Sequence, residues 1–151
     1  MGVKTYDPKK VIITFGGVPI TGFADGTFIQ VTQDADSWAK KVGADGEVVR
    51  AKSNDNTHTV TITLQQSSNS NDYLSTCLNL DKLTNKGMLP LVITDLNGTT
   101  LESWLQAWVS KDPDWEYAKE ATDRAWVLMT GQAATTLYGG VNGILGDILN
   151  P

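Results

Sequence analysis

The 151-residue chain has one cysteine, Cys77, and one histidine, His58. A lone cysteine excludes an intramolecular disulfide, and with one histidine beside it no His/Cys metal cluster can form within a single chain. No apolar run approaches the roughly 20 residues that a membrane span needs. The polar start, Met1-Gly2-Val3-Lys4-Thr5-Tyr6-Asp7-Pro8, lacks the apolar segment of a secretory signal. The expectation is a chain that stays in the cytoplasm where it is made and does not insert into a membrane. Basic residues are in deficit: 12 Lys and Arg stand against 17 Asp and Glu, giving a net charge of −5 and a pI near 4.7. A free nucleic-acid binder carries a basic face. This balance instead suits ordinary solubility, or a surface past which phosphates slide without sticking.

Catalytic patterns are missing too. Nucleophilic catalysis needs a Ser, Cys or Thr beside an oriented base, and the sequence has no Gly-x-Ser-x-Gly elbow. Cys77 falls on a helical stripe and reads as a small core residue. His58, between Thr57 and Thr59, reads as a partly exposed residue at a strand end. Gly139-Gly140-Val141-Asn142-Gly143 lacks the Lys-Ser/Thr of a phosphate-binding loop. Asp34-Ala35-Asp36-Ser37 lacks the glycine and closing glutamate of a calcium loop. No enzyme, cofactor or metal is expected.

What is present is β-structure. At 60–64 the chain alternates, Val60, Ile62 and Leu64 against Thr59, Thr61 and Thr63, which predicts a strand with one face on a core. Strands are also expected at 11–15, at 18–20 after a Gly16-Gly17 turn, and at 27–33, where Gln30 and Thr32 point away from the core. A ribbon of two strands, 38–42 and 47–52, closes at Ala44-Asp45-Gly46 and bears Lys40, Lys41, Arg50 and Lys52 on its arms, with Asp45 and Glu47 at its tip. A charged ribbon of this length implies a partner surface, and Trp38 beside it is an interface candidate. A Ser/Asn cluster at 67–72 offers N-caps for a helix carrying Tyr73, Leu74, Cys77, Leu78, Leu80 and Leu83, which stops by Gly87. Beyond it come a strand at 91–96, an Asn97-Gly98 hairpin turn, and 99–110, read as a strand although Leu101, Trp104, Leu105 and Trp108 also fit a helical stripe. Residues 111–114 read as a loop, 115–120 stay unassigned, and 123–130 is a final core strand. Trp104, Trp108 and Trp126 read as core or sheet-surface aromatics. After Gly131 the tail combines four glycines with Val141, Ile144, Leu145, Ile148 and Leu149. Such a tail is a poor autonomous element and calls for burial by a neighbour or on its own core.

The segment GEVVRAKSNDNTHTVTITLQQSSNSNDYLS resembles the tail tube protein of contractile-tailed, myovirus-type bacteriophages. The opening VIITFGGVPITGFADGTFIQV and the later Arg124-Ala125-Trp126-Val127-Leu128 fit the same family, in order along nearly the whole chain. The resemblance implies a mainly β fold of two packed antiparallel sheets with one flanking helix, like type VI secretion tubes, in one domain over 1–151. It implies a structural virion protein that forms stacked hexameric rings, the inner tail tube through which DNA is ejected inside a contractile sheath. Under it, 1–9 is an N-terminal arm and 38–56 a hairpin reaching a neighbouring subunit through Trp38, Lys40, Lys41, Asp45, Glu47, Arg50 and Lys52. Residues 131–151 become a C-terminal arm making contacts through Tyr138, Val141, Ile144, Leu145, Ile148 and Leu149. Gln30, Thr32, Thr59, Thr61, Thr63 and Gln65 are the candidates for the channel wall, since neutral hydroxyls and amides hydrate well without holding phosphate. The implied partners are further copies, the sheath, baseplate and tail-terminator proteins, and the tape measure protein and genomic DNA passing through the lumen. The chain then belongs to the virion tail, assembled in the host cytoplasm. The alternatives are a monomeric β-sandwich binding or accessory module, which leaves the charged ribbon unexplained, and a baseplate tube-initiator.

Overall fold

The computed structural model of the protein describes residue 3 and residues 5–138. A 3-10 turn at Pro8–Lys10, capped by Asp7, whose carboxylate accepts from Lys9 N, leads into β1 (Val11–Phe15) and β2 (Val18–Pro19). Then come β3 (Ile29–Gln33), the ribbon strands β4 (Trp38–Val42) and β5 (Val48–Lys52), and β6 (His58–Gln65). The helix α1 (Ser70–Thr84) precedes β7 (Leu89–Asp95), β8 (Leu101–Asp114), β9 (Asp123–Thr130) and β10 (Ala133–Leu137). Among the described residues no helix is long and apolar enough to cross a membrane.

Every pairing is antiparallel. The main sheet runs β2-β1-β7-β8-β9-β6-β3, with β10 also on β8, while β4 and β5 pair only with each other. The strand that organises this is β8. Its first half pairs with β7 and β10, and its second half pairs with β9 along Ala107↔Thr130 and Val109↔Leu128. Between the halves, Leu105 and Gln106 are both exposed, and the four residues of β8 from Trp104 to Ala107 oppose the three of β7 from Leu91 to Leu89. This bulge shifts the buried phase from Glu102 and Trp104 to Ala107 and Val109, bending the strand as an inserted residue does. The two layers expected from the sequence are thus two halves of one continuous sheet turning about β8. Ile13, Phe15, Leu91, Ile93 and Trp104 from one half share a single core with Val60, Ile62, Leu64, Val109, Trp126 and Leu128 from the other.

The helix closes this core with Leu74, Cys77 and Leu78. The Tyr73 hydroxyl donates to Phe15 O at 2.7 Å, and Asn71 Oδ1 accepts from Trp126 Nε1 at 2.9 Å. Ser68, two residues ahead of Ser70, accepts from its N–H. Asn85, in the left-handed region at φ 58°, ends the helix. Two residues of the helical stripe, Leu80 and Leu83, face outward.

Two further expectations are corrected. Residues 111–114 are not a loop but the end of β8, where Pro113 sits at an irregularity in the β9 register that needs no N–H from it. Residues 133–137 are not held for a neighbour: they form β10 on the chain's own β8.

Candidate functional site

The first candidate surface is the outer face of β3 and β6. Gln30 opposes Thr61 and Thr32 opposes Thr59, so these four share one side of the sheet, opposite Val60, Ile62 and Leu64 in the core. Thr63 and Gln65 continue that side along β6. All six sequence-selected residues therefore lie on one continuous face, exposed or half-exposed. Two are tied down locally: Thr59 Oγ1 donates to Asp34 at 2.7 Å, and Gln65 Nε2 donates to Phe23 O at 3.1 Å. Asp34, weighed in the sequence only as part of an incomplete calcium loop, brings a carboxylate onto this face and also receives a hydrogen bond from Thr57. Toward β9 the polar face meets Ala125, Val127 and Met129, so an apolar strip flanks it.

The second surface is the ribbon. All ten residues of β4 and β5 are exposed, including Val42, Val48 and Val49. The pairs Trp38↔Lys52, Lys40↔Arg50 and Val42↔Val48 share one face, and Ala39↔Ala51 with Lys41↔Val49 share the other. The Arg50 guanidinium stacks 3.7 Å above the Trp38 ring, a cation–π contact that orders one long side chain. Lys40 directly opposite Arg50 costs the ribbon stability, and an isolated two-stranded ribbon is marginal in water. The tip holds itself: Gly43 N donates to Glu47 O at 2.8 Å, Asp45 Oδ1 accepts from Glu47 N, and Gly46 takes φ 84°. Four cations against two acids give residues 38–52 a net charge of +2, leaving −7 for the rest of the chain. This segment is cationic on an acidic body.

The third region is buried. His58 is only 4% exposed, not a half-exposed strand end, because β3 and β9 pair on both sides of it and Trp104 packs beneath. Its Nδ1 accepts from Trp104 Nε1 at 3.3 Å, and its Nε2 lies 3.0 Å from Glu102 Oε1. That oxygen meets no donor in hydrogen-bonding geometry, so the contact is electrostatic and poorly aligned. Glu102 itself is buried, and burial pushes its carboxyl above the usual range, with His58 and the Tyr138 hydroxyl opposing the shift. Tyr138, an expected arm contact, is therefore partnered within its own chain. Val141, Ile144, Leu145, Ile148 and Leu149 lie outside the described residues. Glu102 was missed because a carboxylate inside an apolar strand pattern reads as outward-facing, and its partner is 44 positions away. Among the described residues no group of three or more His, Cys, Asp or Glu side chains is placed to hold a metal ion. Burial raises the Cys77 thiol, which disfavours the thiolate that nucleophilic chemistry needs.

The described surfaces are thus an exposed ribbon and a polar sheet face, with a His–Glu pair buried in the core. The family model of the Bacteriophage PhiTE tail tube protein matches residues 14–138. The chain belongs to this phage tail tube family. A curated relative, "Structural protein ORF10" of Pseudomonas phage KPP10, is 27% identical over 146 residues, covering 91% of this chain and 83% of the relative. Among solved structures, the anti-feeding prophage cap (AFP tube terminating cap) superposes with a TM-score of 0.60 at 13% identity, covering 91% of the tail tube protein and 95% of the cap. The PVC sheath/tube terminator of an extracellular contractile injection system, in its extended state, gives 0.59 at 13% identity over 85% and 94% of the two chains. The PVC sheath-tube complex in the same state gives 0.54 at 13% identity over 88% and 93%. At these identities the structural likeness establishes the fold. The family establishes the role: a structural, non-enzymatic component of the virion tail.

Proposed function

We propose that this tail tube protein polymerises as hexameric rings stacked into the inner tube of a contractile tail, with DNA passing through the channel on ejection. The observation that carries the reading is the ribbon, whose ten strand residues are all exposed while Trp38, Val42, Val48 and Val49 present apolar surface to water. An exposed set of this kind marks a surface that another subunit covers. Heterologous contacts of one copy on the next close into rings or continue into filaments. The face of Gln30, Thr32, Thr59, Thr61, Thr63 and Gln65 is the channel wall: it is hydrated and neutral, and Asp34 adds only negative charge. Such a wall offers phosphates no counter-ion to displace. The sheath covers the opposite side, where Leu80 and Leu83 of α1 are exposed; the PVC sheath-tube complex among the similar folds supports a sheath partner. Baseplate and terminator proteins meet the two ends of the tube, the tape measure protein fills the lumen before DNA, and assembly takes place in the host cytoplasm.

A tube-end subunit is the second reading, favoured by the likeness to a tube terminating cap. Negative-stain electron microscopy of the purified chain over a range of concentrations separates the two. Long tubes with a central channel are expected. Single rings that never stack would transfer the protein to the tube end, and a monomer at every concentration, even with tail-tip proteins added, would remove the polymer reading altogether.

A further inference from the structure

The tail tube protein has a recess at the opposite end of β6 from the ribbon. The ribbon emerges between β3 and β6, its root held by Asp34 N to Thr57 O and Ser53 N to Ser37 O. Eight residues of β6 carry the chain roughly 25 Å away from that root. There, under the start of α1, a recess of about 420 Å³ is lined by Asn71, Asp72, Asp112, Trp115, Tyr117 and Arg124. Trp115 also borders an adjoining hollow with Asp114, Glu116 and Asp123. The 115–122 segment that walls this recess is pinned, since Thr122 Oγ1 donates to Glu116 O and Thr122 N donates to Gln66 Oε1.

Arg124 occupies the inward phase of β9, one step beyond Trp126, where the apolar core ends. Its Nη1 is solvent-excluded yet makes no hydrogen bond, and its guanidinium lies 5.7 Å from the centre of the Tyr117 ring. A buried guanidinium nitrogen without an acceptor is costly, and a carboxylate is the group whose geometry it matches. Around this cation the rim carries Asp72, Asp114, Glu116 and Asp112, the last already facing Lys82 Nζ at 3.9 Å. The ribbon has the inverse pattern. Its tip bears Asp45 and Glu47 on a slender Gly-Ala-Asp-Gly turn, and its arms bear Lys40, Lys41, Arg50 and Lys52.

We infer that the Arg124 recess is the receptor for the ribbon tip of a second copy: Asp45 and Glu47 reach Arg124 while the ribbon lysines meet the acidic rim. The inference rests on the polymer reading and names the contact that builds it. Ribbon and recess lie at opposite ends of one strand, so the contact is head-to-tail and repeats from copy to copy.

The test is zero-length carbodiimide cross-linking of the concentrated full-length protein, mixed as ¹⁴N and ¹⁵N forms and read by mass spectrometry. Mixed-isotope links should join Lys40, Lys41 or Lys52 to Asp72, Asp112, Asp114 or Glu116. They should fall at least about tenfold in Asp45→Lys/Glu47→Lys, whose changes sit on an exposed tip outside the core, and return when Arg124→Glu is added to that variant. Mixed-isotope links from the ribbon to another surface would overturn the receptor while leaving the polymer intact. Absence of any mixed-isotope link at concentrations that pellet no assembly would overturn both.

Discussion

At the scale of single residues, Glu102 is a carboxylate placed inside the core. Burial raises its folded-state pKa above the ordinary value of 4.5. Below that value both folded and unfolded chains hold the proton and burial carries no ionisation cost. As pH rises above it the unfolded chain ionises first, so the fold loses stability until the folded pKa is passed. Glu102→Gln, which keeps the shape and a partner for Tyr138, removes this loss. Thermal melts of variant and wild type should coincide near pH 4 and separate as pH rises. Near neutrality the variant should be the more stable of the two and melt at the higher temperature. Parallel melting curves at every pH would mean that the charge is not buried in solution. Leu128 and Leu83 make a second contrast, at 0% and 84% exposure. Leu128→Ala should cost about 2–5 kcal/mol in chemical denaturation, and Leu83→Ala within about 0.5 kcal/mol of nothing. A large loss at Leu83 would place it in a packed interface of the isolated chain.

At the scale of elements, β6 and β9 were legible because their alternation is unbroken: Val60, Ile62 and Leu64 in one, Trp126, Leu128 and Thr130 in the other are buried in strict period two. The ribbon was legible from its Asp-Gly turn, and the helix from its caps and stop. β8 was not cleanly legible. Its bulge at Leu105 and Gln106 breaks the period and makes Leu101, Trp104, Leu105 and Trp108 look like a helical stripe. The same bulge gives a prediction. Deleting Gln106 removes the bulge and leaves uninterrupted alternation with Glu102, Trp104, Ala107 and Val109 all on the buried side, so the strand should straighten without turning over. The protein should then keep its core tryptophans shielded from quenchers but melt at a lower temperature, because the two halves of the sheet lose the bend that brings them together. A deletion variant that melts like the wild type would show that the bulge does not set that bend. That Gln30, Thr32, Thr59 and Thr61 share one side of the sheet was legible from Thr/Gln alternation, whereas Asp34 on that face and Glu102 beneath it depend on contacts between strands distant in sequence.

At the scale of the whole molecule, a core shared by both halves of one sheet carries exposed surfaces that the proposed tube assigns to other subunits. The charge distribution follows that division, with a cationic ribbon on an acidic body. A neutral channel wall predicts that Thr61→Lys with Gln30→Lys leaves the chain folded and assembling. The added cations should hold phosphates and slow DNA ejection severalfold, the more so at low salt, as timed by dye release from assembled particles. Unchanged ejection kinetics in fully formed tubes would move this face out of the lumen. The most direct test of the account is a cryo-EM reconstruction of the assembled tube, carried far enough to trace β3 and β6. The account predicts Gln30, Thr32, Thr59 and Thr61 lining the channel, with α1 on the outer wall and each ribbon lying on another subunit. A tube with α1 at the channel, or with ribbons projecting free into solvent, would contradict it.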